Sequence, residues 1–314
     1  MLVTAALPDG ASSALRAAGI EVVGGDPGRD LDATALLEAV AEFDGIVCQL
    51  RDTIDEQVLG AGAAGRLRVV GTVSVGVDHI DLVAAARLGV EVCHTPGVLD
   101  ESTADLAFLL VLGASRLAWD AELELRQGRW GGWELTHRLG HDVHGAVLGL
   151  VGFGRIGRAV ARRAYGFGMT VLHHARRDTG VDGFVARLDD LLGQVDVLSL
   201  HVPLTEATRH LIGRRELALL KPGAVLVNTA RGPVVDEGAL VDALESGSLF
   251  AAGLDVYERE PEIDPRLLAA PRTMLLPHIG SATGPTRLRM AQLACEGVLD
   301  VLSGRRPSHP ARRW

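Results

Sequence analysis

Short apolar runs alternate along this chain with stretches whose apolar residues recur every three or four positions. In the first part of the sequence the runs predict strands at Leu2–Ala6, Ile20–Val23, Gly45–Leu50, Arg68–Thr72 and Val90–Cys93. Helical spacing fills Ala11–Ala18, Asp32–Glu42 and Asp81–Leu88, and Pro8-Asp9-Gly10 turns the chain after the first strand. One long helix is expected from Glu101 to Gln127, with Ser102-Thr103 as its cap. Leu106, Leu109, Leu110 and Leu117 supply its apolar spacing, and Gly128 stops it. A second alternation starts at Val147, with strands at Val147–Val151, Met169–His173, Asp196–Leu200, Ala224–Asn228, Phe250–Asp255 and Thr273–Leu276. A last helix runs from about Pro285 to Ser303. Strands alternating with helices predict an α/β fold of two doubly wound, parallel-sheet domains. Periodicity alone does not fix where the last helix packs.

A chain of 314 residues exceeds what one hydrophobic core usually serves, which agrees with two domains. Aromatics make up 4% of it, so Val, Leu, Ile and Ala must build most of the interior. The net charge of −9 argues against nucleic acid or an anionic membrane surface as a main partner. No segment approaches the roughly 20 apolar residues needed to span a bilayer. The first ten residues lack the basic region of a signal peptide, which makes the cytoplasm the simplest location. Three cysteines, an odd number without paired spacing, indicate neither a disulfide framework nor a zinc site.

Gly152-Phe153-Gly154-Arg155-Ile156-Gly157 follows one expected strand and opens a helix. A dinucleotide loop needs glycine at these places for a tight turn, a close approach of backbone to pyrophosphate, and close helix–strand contact. The helix beginning near Arg155 would turn its N–H groups and positive dipole end toward the phosphates. Glycine-rich turns are common, and the strand–loop–helix context is what favours nucleotide binding over a bland turn. The next strand leads to His173-His174-Ala175-Arg176-Arg177. NAD-specific folds place an acid there to accept from the ribose 2′-hydroxyl. Here Ala175 stands without a carboxylate, and Arg176 and Arg177 follow, side chains suited to a 2′-phosphate. NADP is therefore the preferred cofactor, with NAD possible. An ordinary solvated basic loop is the competing reading.

Three more stretches carry polar residues where strands end: 227–232, 253–261 and 276–281. Ligands of parallel sheets bind off the carboxyl ends of strands, so these stretches would meet the glycine loop along one crevice. Reduction of a 2-keto acid needs a cation for the substrate carboxylate and a proton donor for the developing alkoxide, and an Arg and a His meet those needs. A carboxylate beside the His would favour imidazolium and keep the acid form available near neutrality.

With GFGRIG at 152–157, NTARGPVVDE at 228–237, GLDVYEREP at 253–261 and LPHIGSAT at 276–283, the chain resembles the D-isomer-specific 2-hydroxyacid dehydrogenases, especially the glyoxylate/hydroxypyruvate reductase branch. The resemblance covers nearly the whole chain. It implies an NAD(P)-dependent oxidoreductase in which Arg231 orients the keto acid, His278 exchanges the proton and Glu260 tunes His278. It implies a substrate-carboxylate loop at Ser74, Val75 and Gly76, whose amides could form a small anion nest. The implied cofactor set adds Val202, Pro203, Thr229, Asp255 and Gly280 to the residues already named, with Asp255 at the nicotinamide end. The substrate-binding, flavodoxin-like domain would be discontinuous, residues 1–96 with a C-terminal segment 284–314, around a Rossmann domain at 97–283. A homodimer is also implied, in which Trp133 limits substrate size in the neighbour's pocket.

Plainer readings compete. Glu258 rivals Glu260 by composition, and the family pattern selects the Glu before Pro261. Asp236 and Glu237 read as a helix N-terminus rather than as chemistry. His201 and the group His137, His141 and His144 could suggest a metal, but Gly140 and Gly145 break any helix there and no Cys or carboxylate completes a set. Trp130-Gly131-Gly132-Trp133 could be a plain hydrophobic anchor. Two other functions remain in view: a 2-ketogluconate-type sugar-acid reductase, and a non-catalytic, nucleotide-sensing binding protein of the corepressor kind.

Overall fold

The computed structural model describes residues 1–312, so the last two residues of the expected 284–314 segment lie outside the described residues. The chain divides into two compact units: Met1–Leu99 with the chain from Ser281 onward, and Asp100–Gly280.

The first unit begins β1 (Leu2–Val3), α1 (Ser13–Ala17), β2 (Val23–Gly24), α2 (Ala33–Ala39) and β3 (Gly45–Cys48). It continues with α3 (Glu56–Ala64), β4 (Val69–Thr72), α4 (Leu82–Leu88) and β5 (Glu91–Cys93). All neighbours are parallel, in the order β2-β1-β3-β4-β5. Both faces are buried, and the period of two sorts the side chains. Ile46, Cys48, Val70 and Val92 enter one cluster, while Val47, Val69 and Cys93 enter the other. Asp32, Asp55 and Asp81 cap α2, α3 and α4 by accepting from their first-turn N–H groups. β1 and β2 are shorter than the apolar runs that predicted them, and α3 had no counterpart in the pattern.

The second unit runs α5 (Asp100–Ser115), α6 (Ala118–Arg126), β6 (Val147–Val151), α7 (Arg155–Gly166), β7 (Thr170–His174), α8 (Leu188–Leu192) and β8 (Val197–Leu200). It ends with α9 (Arg214–Leu219), β9 (Ala224–Asn228), α10 (Glu237–Ser246), β10 (Leu249–Leu254), α11 (Pro265–Ala269) and β11 (Thr273–Leu275). The sheet is parallel throughout, in the order β11-β10-β9-β8-β6-β7. Leu148, Leu150, Val225 and Val227 pack on α5 and α7, whereas Leu198, Leu226 and Leu254 pack with residues of α8 to α11. Truncating one such buried leucine to alanine typically costs about 2–5 kcal/mol. The single helix expected over 101–127 is two helices. Leu117 takes a left-handed φ of 52° and breaks it, with the residue buried in the core. Ser102-Thr103 is not the cap either: the helix starts at Asp100 and Thr103 is buried inside its first turn. Finally α12 (Gly284–Leu302) returns to the first unit, where Ala294, Cys295 and Val298 join Val47 and Val69.

Candidate active site

In a doubly wound sheet the connections leave a crevice where strand order reverses. In the second unit that point lies between β6 and β8, whose ends are level: Val151 pairs with Leu200. The glycine loop leaves β6 and His201-Val202-Pro203 leaves β8. The two loops touch, since a Cβ on Gly152 would lie 2.4 Å from the His201 carbonyl oxygen. Gly152 also has a φ of +96°, so a side chain there is excluded twice over. A Cβ on Gly157 would meet the Gly152 carbonyl at 2.3 Å, which seats α7 tightly on β6. Gly154 is different: among the described residues, no atom beyond its own neighbours lies within 4 Å of where a Cβ would stand. Packing therefore does not demand glycine at 154, and open space beside a helix N-terminus fits an approaching pyrophosphate. The N-terminus of α7 has no side-chain cap, so its first-turn N–H groups are turned to that space. Arg155 carries an ion pair with Asp100 at 3.2 Å, and Ile156 packs on the core.

At the end of β7, His174 Nδ1 is 3.0 Å from the Val185 carbonyl, and His173 stacks on Phe153 with ring centroids 3.7 Å apart. Ala175 packs on the core, while Arg176 and Arg177 are exposed and form no ion pair among the described residues. The far side of the switch point carries the residues expected to react. Asn228, Leu254 and Leu200 are in register, so the segments after β8, β9 and β10 emerge side by side, with β11 next. Strands about 4.8 Å apart set these loops along one edge. Their order runs from the loop of His278 through those of Glu260, Arg231, His201 and the glycines to Arg176.

The turn after β9 is held by Asn228, whose amide donates to the Arg231 carbonyl (2.9 Å) and whose Oδ1 accepts from Ala230 N–H (3.0 Å). Arg231 donates to the Ala230 carbonyl at 2.8 Å. Thr229 Oγ1 is buried without a hydrogen-bond partner among the described residues, an orphan that a bound group would satisfy. Gly232 lies against the backbone of the next turn, where a Cβ would fall 1.8 Å from the Tyr257 carbonyl carbon.

His278 Nδ1 and Glu260 Oε2 are 2.7 Å apart. Burial works upward on the Glu260 carboxyl, but the bond and charge of His278, the Tyr257 N–H and the Arg231 charge together hold it below the usual value. Glu260 Oε1 accepts from Tyr257 N–H at 2.9 Å, and Tyr257 donates its hydroxyl to the Leu276 carbonyl at 2.9 Å. His278 has a left-handed φ of 53°, a strained value for any side chain with a Cβ. Asp255 fixes that conformation: its two carboxylate oxygens accept from Ile279 N–H and Gly280 N–H, each at 2.7 Å. Asp255 is 1% exposed, and burial pushes it up to about 6 despite those bonds and the nearby His278. Each of its oxygens thus holds one N–H of the loop that carries His278.

A second His–Glu pair stands on the same edge, with His210 Nε2 2.8 Å from Glu258 Oε1. Glu258 N–H in turn donates to Glu237 Oε1 at 2.5 Å. Asp236 is the cap expected of it, accepting from Ala239 N–H, but Glu237 is buried beneath the Tyr257–Glu260 turn. Sequence reasoning missed this group. Glu258 and His210 are 48 positions apart and no motif couples them.

Other expected residues lie elsewhere. Ser74, Val75 and Gly76 form a turn after β4 in the first unit. There Ser74 Oγ reaches the Gly76 carbonyl (2.7 Å) and the Thr72 hydroxyl (2.7 Å), and the Val75 carbonyl is 2.9 Å from His94 Nδ1. The serine hydroxyl is thus spent inside the turn. Trp133 lies in the irregular stretch after α6 and is 81% exposed. His141 stacks on Phe250, with centroids 3.8 Å apart.

Comparison with known proteins bears directly on this edge. Residues 108–280 match the family model described as D-isomer specific 2-hydroxyacid dehydrogenase, NAD binding domain. Over 281 residues, 87% of this chain and 84% of its relative, the sequence is 42% identical to a glyoxylate reductase of Thermococcus litoralis. A crystal structure of a Thermus thermophilus protein superposes with a TM-score of 0.93 at 46% identity, covering 99% of both chains. An NADPH-dependent glyoxylate/hydroxypyruvate reductase of Sinorhizobium meliloti, solved with NADP and malonate, gives 0.86 at 32% identity over 100% of this chain and 98% of its own.

Proposed function

The chain belongs to the D-isomer-specific 2-hydroxyacid dehydrogenase family of NAD(P)-dependent oxidoreductases, in its glyoxylate reductase branch, and from there we propose that it reduces small 2-keto acids such as glyoxylate or hydroxypyruvate with NADPH in preference to NADH. The observation that carries the proton-transfer part is the bond between His278 Nδ1 and Glu260 Oε2. With Nδ1 committed to the carboxylate, Nε2 is the nitrogen left to give a proton to the substrate oxygen. Arg231 holds the keto-acid carboxylate by charge-assisted hydrogen bonds and sets the carbonyl against His278. When bound, the nicotinamide supplies the hydride to the carbonyl carbon. Glu260, bonded to Nδ1, orients the ring and steadies the charge it carries as an acid.

For the dinucleotide, Gly152, Gly154, Arg155, Ile156 and Gly157 receive the pyrophosphate at the N-terminus of α7. Val202, Pro203, Thr229 and Gly280 border the same edge toward the reacting groups, and Asp255 orders the last of these loops. Ala175 leaves the ribose 2′-position without its usual acidic acceptor, and Arg176 with Arg177 holds a 2′-phosphate there. The absence of any ion pair on either arginine among the described residues supports this reading. The S. meliloti reductase, solved with NADP, is a relative of the same kind. The turn at Ser74–Gly76 offers the amides of Val75 and Gly76, rather than the Ser74 hydroxyl, to a substrate carboxylate.

The chain also works as a homodimer. Of the 14 exposed large apolar side chains among the described residues, seven lie between Leu109 and Leu139, Trp133 among them. That concentration is what a partner copy would cover, and it leaves Trp133 to limit substrate size in the neighbour. The location fits the cytoplasm; no helix of the described residues is long and apolar enough to cross a membrane.

The testing experiment follows reduced-nicotinamide absorbance with glyoxylate, hydroxypyruvate and 2-ketogluconate, each with NADPH and NADH. Turnover of the small acids, faster with NADPH, is expected. Preference for NADH removes the roles of Arg176 and Arg177. A preference for 2-ketogluconate moves the enzyme to the sugar acids, and absence of turnover with every pair favours a binding protein.

A further inference from the structure

The turn that carries Glu260 is anchored from behind by a group that takes no part in the chemistry. Glu237 opens α10 and is 7% exposed, a rare place for a carboxylate. Its Oε1 accepts from Glu258 N–H at 2.5 Å. One residue back, Tyr257 N–H donates to Glu260 Oε1, and Glu260 Oε2 meets His278 Nδ1. The two successive N–H groups of this turn are therefore divided between a carboxylate below and the one that faces the imidazole. The Glu258 side chain is held at both oxygens: Oε1 lies 2.8 Å from His210 Nε2, and Oε2 accepts from Glu237 N–H at 3.5 Å.

From this arrangement we infer that Glu237 is a positioning residue for the reduction: by holding the Glu258 amide it fixes the Tyr257–Glu260 turn and so the contact of Glu260 with His278. The inference rests on the proton-donor reading of His278. Burial raises the Glu237 carboxyl, with the charges of Glu258 and Asp264 adding to it, while the Glu258 N–H and Arg259 act downward. The N-terminal end of α10 also favours its anion. On the other side of the turn, Glu260 and Asp255 both feel the charge of His278, and Glu260 feels that of Arg231 as well.

Without the acceptor at 237, the Glu258 amide is freed and Glu260 loses its fixed register against His278. The carboxylate that steadies the charged ring is then less well placed. Reduction needs the acid form, so the alkaline limb of kcat/KM moves to lower pH. A residue that only stabilises the fold would lower the melting temperature and leave that limb in place.

The test measures pH profiles of keto-acid reduction, with nucleotide affinity as a check on the fold, for Glu237→Ala, Glu237→Gln and Glu237→Asp. Alanine is expected to lower kcat on the order of tenfold, a part of the roughly 10²–10⁴-fold that general acid catalysis supplies. Its limb should shift toward that of Glu260→Gln, with nucleotide affinity kept. Glutamine retains an acceptor oxygen and should restore most of the limb position. An alanine limb at the wild-type pH overturns the inference, as does an equal shift in alanine and glutamine. Where alanine does not fold, Glu237→Asp, which draws the acceptor back by one methylene, carries the same decision. His278→Ala separates the two readings: if it retains full kcat, the proton-donor reading fails; if it loses activity while the Glu237 limb stays fixed, only the positioning inference fails.

Discussion

Two histidines of this protein look nearly alike in isolation. His278 bonds Glu260 at 2.7 Å and His210 bonds Glu258 at 2.8 Å. Both take a left-handed φ, 53° and 50°, and both sit partly exposed in loops of the second unit. Their surroundings differ. His278 presents Nδ1 to its carboxylate and keeps Nε2 for another partner, whereas His210 spends Nε2 on Glu258. Asp255 holds both N–H groups after His278, and the Arg231 charge reaches Glu260. His210 is joined instead to the Pro233 carbonyl by its own N–H, at 2.7 Å, in a brace between chain segments. A His–Glu contact is thus insufficient to mark a proton donor. What distinguishes the two pairs is which ring nitrogen the carboxylate takes, and that the Arg231 charge reaches Glu260.

Breaking the comparison outright is the task of His278→Ala. It should lower kcat by about 10²–10⁴-fold with nucleotide binding kept, while His210→Ala changes kcat by far less. Steady-state kinetics on both variants decides this, and similar losses would erase the distinction. Next in size, Arg231→Lys keeps the charge but loses the bidentate fork. The expected result is a keto-acid kcat/KM lowered at least about tenfold with the NADPH affinity unchanged; a selective loss of NADPH binding would put Arg231 in the wrong role.

Glu260→Gln sharpens the contrast further. Removing the carboxylate makes imidazolium less stable, so the alkaline limb of reduction should move to lower pH, whereas Glu258→Gln should move it little. A limb that shifts equally in both variants would mean that the two carboxylates act on His278 alike. On the acid side, Asp255 ionises near 6 and is anionic above that value. Acidifying through that value protonates it and weakens one of the two acceptors holding Ile279 and Gly280, so kcat should fall as pH drops below about 6. The stability effect has the opposite sign. An acid whose folded pKa is raised binds its proton more tightly folded than unfolded, so its contribution to stability declines as pH rises between about 4 and 6. Denaturant titrations of wild type and Asp255→Asn across that window read the difference. The smallest effect expected concerns Trp133→Ala, a change in the ratio of kcat/KM for small against larger keto acids with the His278 limb unmoved.

Much of this was legible in the residues. The strands at Val147–Val151 and Ala224–Asn228 follow from apolar runs that a two-sided parallel sheet must bury, and the observed limits are the same. The glycine loop announced itself by spacing, and Arg231, Glu260 and His278 by the motifs that hold them. The break at Leu117 was not legible, because leucine continues the helical spacing and nothing in its side chain calls for a left-handed φ. Nor could the pattern tell Glu237 from an ordinary helix start.

By itself, then, the sequence determined the class of fold, the dinucleotide loop and the identity of the polar groups at the strand ends, because those depend on local spacing and on residue chemistry. Only the tertiary structure decided which histidine keeps a free nitrogen, that Asp255 clamps the loop of His278, and that Glu237 lies under the Glu260 turn. Those are hydrogen bonds between segments 18 to 48 positions apart. Their partners are chosen by strand register and by burial, which starves each polar group of water until it finds the one donor or acceptor within reach.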